Sequence, residues 1–115
     1  MHKIELKIPS DPQFLQAIRL TTSSLANRVG FDIDDIEDLK VIISEIVTYL
    51  IPLNDDIKIN FELYEDKIKF LVDVDKASYD FEDLQAEAKM KRQILMTLAD
   101  DIEFSESNIT VLKNK

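Results

Sequence analysis

The sequence predicts an α/β (α+β) two-layer sandwich, a mixed, mainly antiparallel sheet with three helices on one face. Three observations carry that reading. Five short stretches read as strands, most of them alternating apolar and polar residues as a half-buried strand does. Three longer stretches carry their apolar residues at the spacing of one helical face. The resulting order is β-α-α-β-β-α-β-β, with two of the strand pairs joined by short hairpin turns.

Lys3 to Ile8 alternates, with Ile4, Leu6 and Ile8 on the buried side of a first strand. Pro9-Ser10-Asp11-Pro12 breaks it, with Ser10 or Asp11 as a helix cap and Pro12 at a tolerated first-turn position. Phe14, Ile18, Leu25 and Val29 share one face of the first helix, and Gly30 is its expected C-cap. Asp32, Asp34, Asp35, Glu37 and Asp38 crowd the start of a second helix. Carboxylates there are favoured by the helix dipole, so the run reads as a solvated, capped helix start rather than a metal site. Ile36, Leu39, Ile43, Ile46 and Leu50 form that helix's buried stripe, and Pro52 ends it.

Ile57, Ile59, Phe61 and Leu63 share one face of the next strand, and Ile68, Phe70, Val72 and Val74 one face of its successor. Glu65-Asp66-Lys67 turns between them. Asp75 to Asp80 reads as a loop. Phe81 to Ala99 is rich in helix formers, with Leu84, Ala88, Ile94, Leu95 and Leu98 on its apolar side and Glu87 spaced to pair with Lys91. Two last strands, Ile102 to Phe104 and Ile109 to Leu112, turn at Glu106-Ser107-Asn108. No internal repeat, linker or low-complexity stretch interrupts the order, so residues 1–115 are expected to form one domain.

Composition excludes several kinds of chemistry. The 115 residues are 45% hydrophobic and 32% charged, an ordinary globular mixture. With no cysteine and one histidine, His2 near the terminus, neither a thiolate nucleophile nor a His-based triad nor most zinc chemistry can be built. No apolar run is long enough for a membrane span and no signal segment opens the sequence, which makes a cytoplasmic location the expectation. A net charge of −9 argues against nucleic acid as a main partner and favours basic protein surfaces. A single glycine, against a usual share of about 7%, leaves no glycine-rich loop to cradle a phosphate.

Several strings resemble the GHKL (Bergerat-fold, histidine-kinase-like) ATPases, in particular the anti-sigma-factor serine-kinase branch. They are Ile18-Arg19-Leu20-Thr21, Asp35-Ile36-Glu37-Asp38-Leu39-Lys40, above all Ser44-Glu45-Ile46-Val47-Thr48, and further on Tyr79-Asp80-Phe81 and Ala99-Asp100-Asp101-Ile102-Glu103. The likeness runs nearly end to end, with a deletion before the third helix. It implies an ATP- and magnesium-dependent serine kinase whose partners are a sigma factor and an antagonist protein, and members that commonly pair as homodimers.

The departures fall where that chemistry would lie. In the family a glutamate on the second helix is followed four residues later by an asparagine that binds magnesium. Glu45 matches the glutamate, but Tyr49 stands in place of the asparagine, and a phenol offers no neutral carbonyl oxygen to the metal. Glu45 itself reads equally as a helix-surface carboxylate or as a vestige of the site. The family's adenine-reading aspartate and the glycine two residues on align with Val74 and Lys76. Shifting the register by one offers Asp73, on the strand face opposite Val72 and Val74, but then Asp75 takes the glycine position. The second glycine motif aligns with Lys89-Met90-Lys91, and Glu82 to Ala88 reads as a helix extension where active members have a nucleotide lid. Phosphoryl transfer rests on positioning and charge neutralisation, so these losses predict a chain without ATP or magnesium and without kinase activity.

Three functions follow as alternatives. One is an anti-sigma-like regulator that acts by protein–protein binding, with Arg19 matching the family's partner-contacting arginine of the first helix. An ordinary surface ion pair is the competing reading of Arg19. The second is a divergent serine kinase with an altered ATP pocket, and the third a structural module that only dimerises through the edge strand near Lys3 to Ile8.

Overall fold

The computed structural model describes residues 1–75, 93, 95–105 and 107–115. Strand β1 (His2–Pro9) leads through a short 3-10 turn (Pro12–Phe14) into helix α1 (Leu15–Val29) and then α2 (Ile33–Leu50). Strands β2 (Asp56–Leu63), β3 (Lys67–Asp73), β4 (Asp101–Phe104) and β5 (Asn108–Asn114) follow. One five-stranded sheet results, in the order β1-β2-β3-β5-β4.

All four pairings are antiparallel, so the expected mixed sheet is antiparallel throughout the described residues. The connections explain it. Two packed helices between β1 and β2 return the chain running opposite to β1, while short connections join β2 to β3 and β4 to β5. Two of the three expected helices stand among the described residues. The third was expected from Phe81 to Ala99; residues 81–92 and 94 lie outside the described ones, as do loop positions 76–80. At its end Gln93 and Leu95 are helical, and the Leu98 and Ala99 N–H groups both donate to the Leu95 carbonyl.

The local signals act as their chemistry requires. The Asp11 carboxylate accepts from the Gln13 N–H, with Pro12 beginning the 3-10 turn. Gly30 closes α1 at φ 102°, a left-handed conformation that a side chain strains. Asp32 caps α2 by accepting the Asp35 N–H at 2.9 Å. Ser10, the other cap candidate, instead donates to the Ile51 carbonyl at 2.7 Å and ties the end of β1 to the end of α2.

One face of the sheet forms the core. Ile57, Ile59, Phe61 and Leu63 of β2, Ile68, Phe70 and Val72 of β3, and Ile109 and Val111 of β5 are buried beneath the helices. Phe61 and Phe70 are directly paired across the strands, with ring centroids 6.0 Å apart and tilted by 54°, an arrangement that adds about 1 kcal/mol beyond area burial. Leu39, Ile42, Ile43, Ile46, Val47 and Leu50 meet them from α2, and Ile18, Thr22 and Ala26 from α1. The alternate residues Lys58, Asn60, Glu62, Lys69 and Leu71 are half-buried on the other face.

Candidate functional site

On the outer side of the helical layer, α1 and α2 border a depression of about 340 Å³. Gln16 and Arg19 line it from α1, and Glu37, Lys40, Val41, Ser44 and Glu45 from α2. Residues 37, 40, 41, 44 and 45 recur at three- and four-residue spacing, so one side of α2 presents them together. Ile43 and Ile46 point the other way, into the core.

Arg19 is tied into this surface by a hydrogen bond across the two helices. Half-buried beside the fully buried Ile18, it donates from Nε to the Ser44 hydroxyl at 2.6 Å. Ser44 in turn donates to the Lys40 carbonyl at 2.6 Å. Lys40 pairs with Glu37 at 3.2 Å along the same helix. Among the described residues the contact of Arg19 is thus a hydroxyl on the neighbouring helix, where the sequence left open an ion pair with Asp or Glu. One apolar side chain of the lining, Val41, is 47% exposed to solvent.

The positions matched to nucleotide chemistry are distributed differently. Glu45 is exposed at the rim of the depression. Tyr49, one turn further along α2, is 9% exposed and belongs to the hydrophobic core with Ile46, Val47 and Leu50. Val74 follows β3 and is 6% exposed, again within the core. Asp73 pairs with Asn108 and is half-buried on the face opposite Val72 and Val74. Lys76, Lys89 and Lys91 lie outside the described residues, as does Tyr79-Asp80-Phe81. The structure therefore brings Arg19 and Glu45 to one surface and leaves Tyr49 and Val74 beneath it.

Three polar side chains to which the sequence assigned no role organise the surroundings. Ser44 is one; its signal was a hydroxyl set within the apolar run of α2. Asn54, only 7% exposed, donates to the Asp73 carbonyl at 2.8 Å and accepts the Asp75 N–H at 2.9 Å, which fixes the exit of β3. Lys113 is nearly buried at the end of β5, donates to the Leu98 carbonyl at 2.6 Å, and lies 3.5 Å from Asp35 and 3.8 Å from Asp38. The acidic start of α2 thus caps its own helix and holds a lysine. Asn54 lies after α2, outside any alternating run, whereas Lys113 continues the inward alternation of Ile109 and Val111 along β5, where its charge masked the signal.

With this geometry in view, the curated relatives decide the family. The chain is 36% identical over 134 residues to the serine-protein kinase RsbW of Bacillus cereus strain Q1, a match covering 98% of this chain and 84% of the relative. The serine-protein kinase RsbW of Bacillus thuringiensis subsp. konkukian strain 97-27 matches with the same identity and the same coverage. The chain belongs to the RsbW serine-protein kinase family.

That membership agrees with the resemblance drawn from Ser44-Glu45-Ile46-Val47-Thr48 and its companion strings. No protein-family model matches the chain. Among solved structures, the RsbU and RsbW domains of Rv1364c from Mycobacterium tuberculosis superpose with a TM-score of 0.66 at 13% identity, covering 99% of this chain and 31% of that one. At that identity the likeness speaks for the fold. The matches to the RsbW kinases extend over 134 residues against the chain's own 115, so these relatives carry residues with no counterpart here.

Proposed function

We propose that this RsbW-family chain is a regulator that works by binding a protein partner, a sigma factor or an antagonist of one, and that its nucleotide site is degenerate. The observation that carries the proposal is the burial of Tyr49 in the apolar core, at the position where the family resemblance calls for a magnesium-binding asparagine. A phenol in that environment offers no carbonyl oxygen to a hard cation. Val74, apolar and buried at the adenine-reading position, and Asp73, on the other face of the strand, support the same reading. Tyr49 and Val74 do not fit Mg-ATP, and the proposed binding does not depend on it. The residues missing here relative to the longer RsbW kinases are consistent with the expected shortening of the lid.

The partner surface in this proposal is the outer side of α1 and α2 around Arg19. It combines a guanidinium held in place, a shallow depression and an exposed apolar side chain, Val41, the mixture found at anchoring points of protein interfaces. Strand β1, an eight-residue edge strand, suits self-pairing into a homodimer. The cytoplasm is the inferred location; among the described residues no helix is long and apolar enough to cross a membrane.

The divergent-kinase reading is favoured by one finding, that the relatives are serine-protein kinases. The two readings separate in a titration of the purified chain against purified sigma factors and antagonist proteins of the same genome, with and without Mg-ATP. The regulator reading expects binding that does not depend on nucleotide and no phosphate on the partner's serines. Binding only with ATP, or a phosphorylated serine, contradicts it.

A further inference from the structure

We propose that Ser44 is a positioning residue for Arg19, an inference that rests on the reading of Arg19 as a partner contact. A serine hydroxyl has one proton to give and lone pairs to accept with. The proton goes to the Lys40 carbonyl, one turn back along α2, at 2.6 Å. A lone pair takes the Arg19 Nε–H, also at 2.6 Å. The bond to Lys40 holds the hydroxyl rotor, which in turn gives the accepting lone pair a fixed direction across to α1.

The choice of a hydroxyl has a consequence that a carboxylate would not have. Anchoring at Nε sets the plane of the guanidinium and leaves both Nη groups without a partner among the described residues, in a side chain that lines the depression. Because Ser44 is neutral, it orients the cation without neutralising it. A free arginine loses much rotamer freedom when a partner fixes it. Arg19 has surrendered that freedom already, so less of the partner's binding energy is lost in ordering it. Ser44, buried at 8% exposure, acts through Arg19 and need not touch the partner.

The test is a double-mutant cycle on the full chain, read by affinity for whichever purified sigma factor or antagonist of the same genome binds the parent chain. Ser44→Ala should weaken binding by about three- to tenfold, the size of one lost hydrogen bond. Its melting temperature should stay within a few degrees of the parent's. Ser44→Thr should bind within about twofold of the parent, since a threonine hydroxyl makes the same backward bond in this fold, Thr22 to the Ile18 carbonyl at 2.9 Å. In an Arg19→Ala background, Ser44→Ala should weaken binding no further.

If Arg19→Ala weakens binding and Ser44→Ala does not, or if the two effects simply add, the positioning role is wrong while the partner surface stands. If neither variant changes affinity, the surface itself is wrong. A measurement on the unmutated protein covers the case in which Ser44→Ala fails to fold. By NMR the Arg19 Nε–H should exchange with solvent well below the rate of the exposed Arg28, and equal rates overturn the proposal.

Discussion

The Lys113 ammonium, at the end of β5, lies 3.5 Å from the Asp35 carboxylate in the first turn of α2 and donates to the Leu98 carbonyl at 2.6 Å. One nearly buried cation thus joins the last strand, the start of the second helix and the turn ahead of β4. Lys113→Ala removes that donor and leaves the Leu98 carbonyl unsatisfied, which should destabilise the chain by about 2 kcal/mol. Asp35→Asn and Asp38→Asn should each cost less than about 1 kcal/mol, because both carboxylates keep access to water at 35% and 39% exposure. Urea unfolding of the three variants checks the order.

Asn54 is the second such tie. Its amide replaces a strand neighbour for the Asp73 carbonyl and the Asp75 N–H. Asn54→Ala should lower stability by about 2 kcal/mol and release the Asp75 amide to rapid hydrogen exchange. The amides of Phe70 and Val72, in the middle of β3, should keep their protection. Protection that persists at Asp75 would mean that the exit of β3 is held by something else.

These ties mark the boundary of what the sequence discloses. Period-two and helical patterning located β1 to β3 and the buried side of α2, where Leu39, Ile43, Ile46 and Leu50 are all interior. The same logic missed Thr22, fully buried on α1, because its hydroxyl is satisfied locally by the Ile18 carbonyl. It also missed Ser44, Asn54 and Lys113, whose partners lie on other elements or, for Ser44, partly so. Burial of a polar group is decided by where its partner arrives, and a linear pattern does not carry that. For the site, sequence singled out Arg19, Glu45 and Tyr49, but the exposure of Glu45 and the burial of Tyr49 needed the packed α2.

Arg19→Glu places a carboxylate against the Ser44 hydroxyl and reverses the charge in the depression. Half-burial and the bond to Ser44 raise its stability cost above that of a fully exposed substitution, to about 1 kcal/mol. Partner affinity should fall by at least about fivefold. Calorimetric titration of the variant alongside its thermal melt checks both. Unchanged affinity in a folded variant removes Arg19 from the interface.

Tyr49→Asn restores the residue type that the family resemblance expects, yet it empties a core position. The loss of ring packing and the burial of an amide should destabilise the chain by about 3 kcal/mol. It should not restore binding of Mg-ATP, since Val74 remains at the adenine-reading position. Thermal melts with and without Mg-ATP measure both effects.

Isothermal titration of the purified chain with Mg-ATP and with Mg-ADP tests the central claim most directly. Removing several polar ligands at about 1–3 kcal/mol each carries a micromolar site to millimolar or weaker, so the account predicts no saturable heat up to millimolar nucleotide. A saturable isotherm with a micromolar Kd would contradict it and make the chain a nucleotide-binding kinase of the RsbW type.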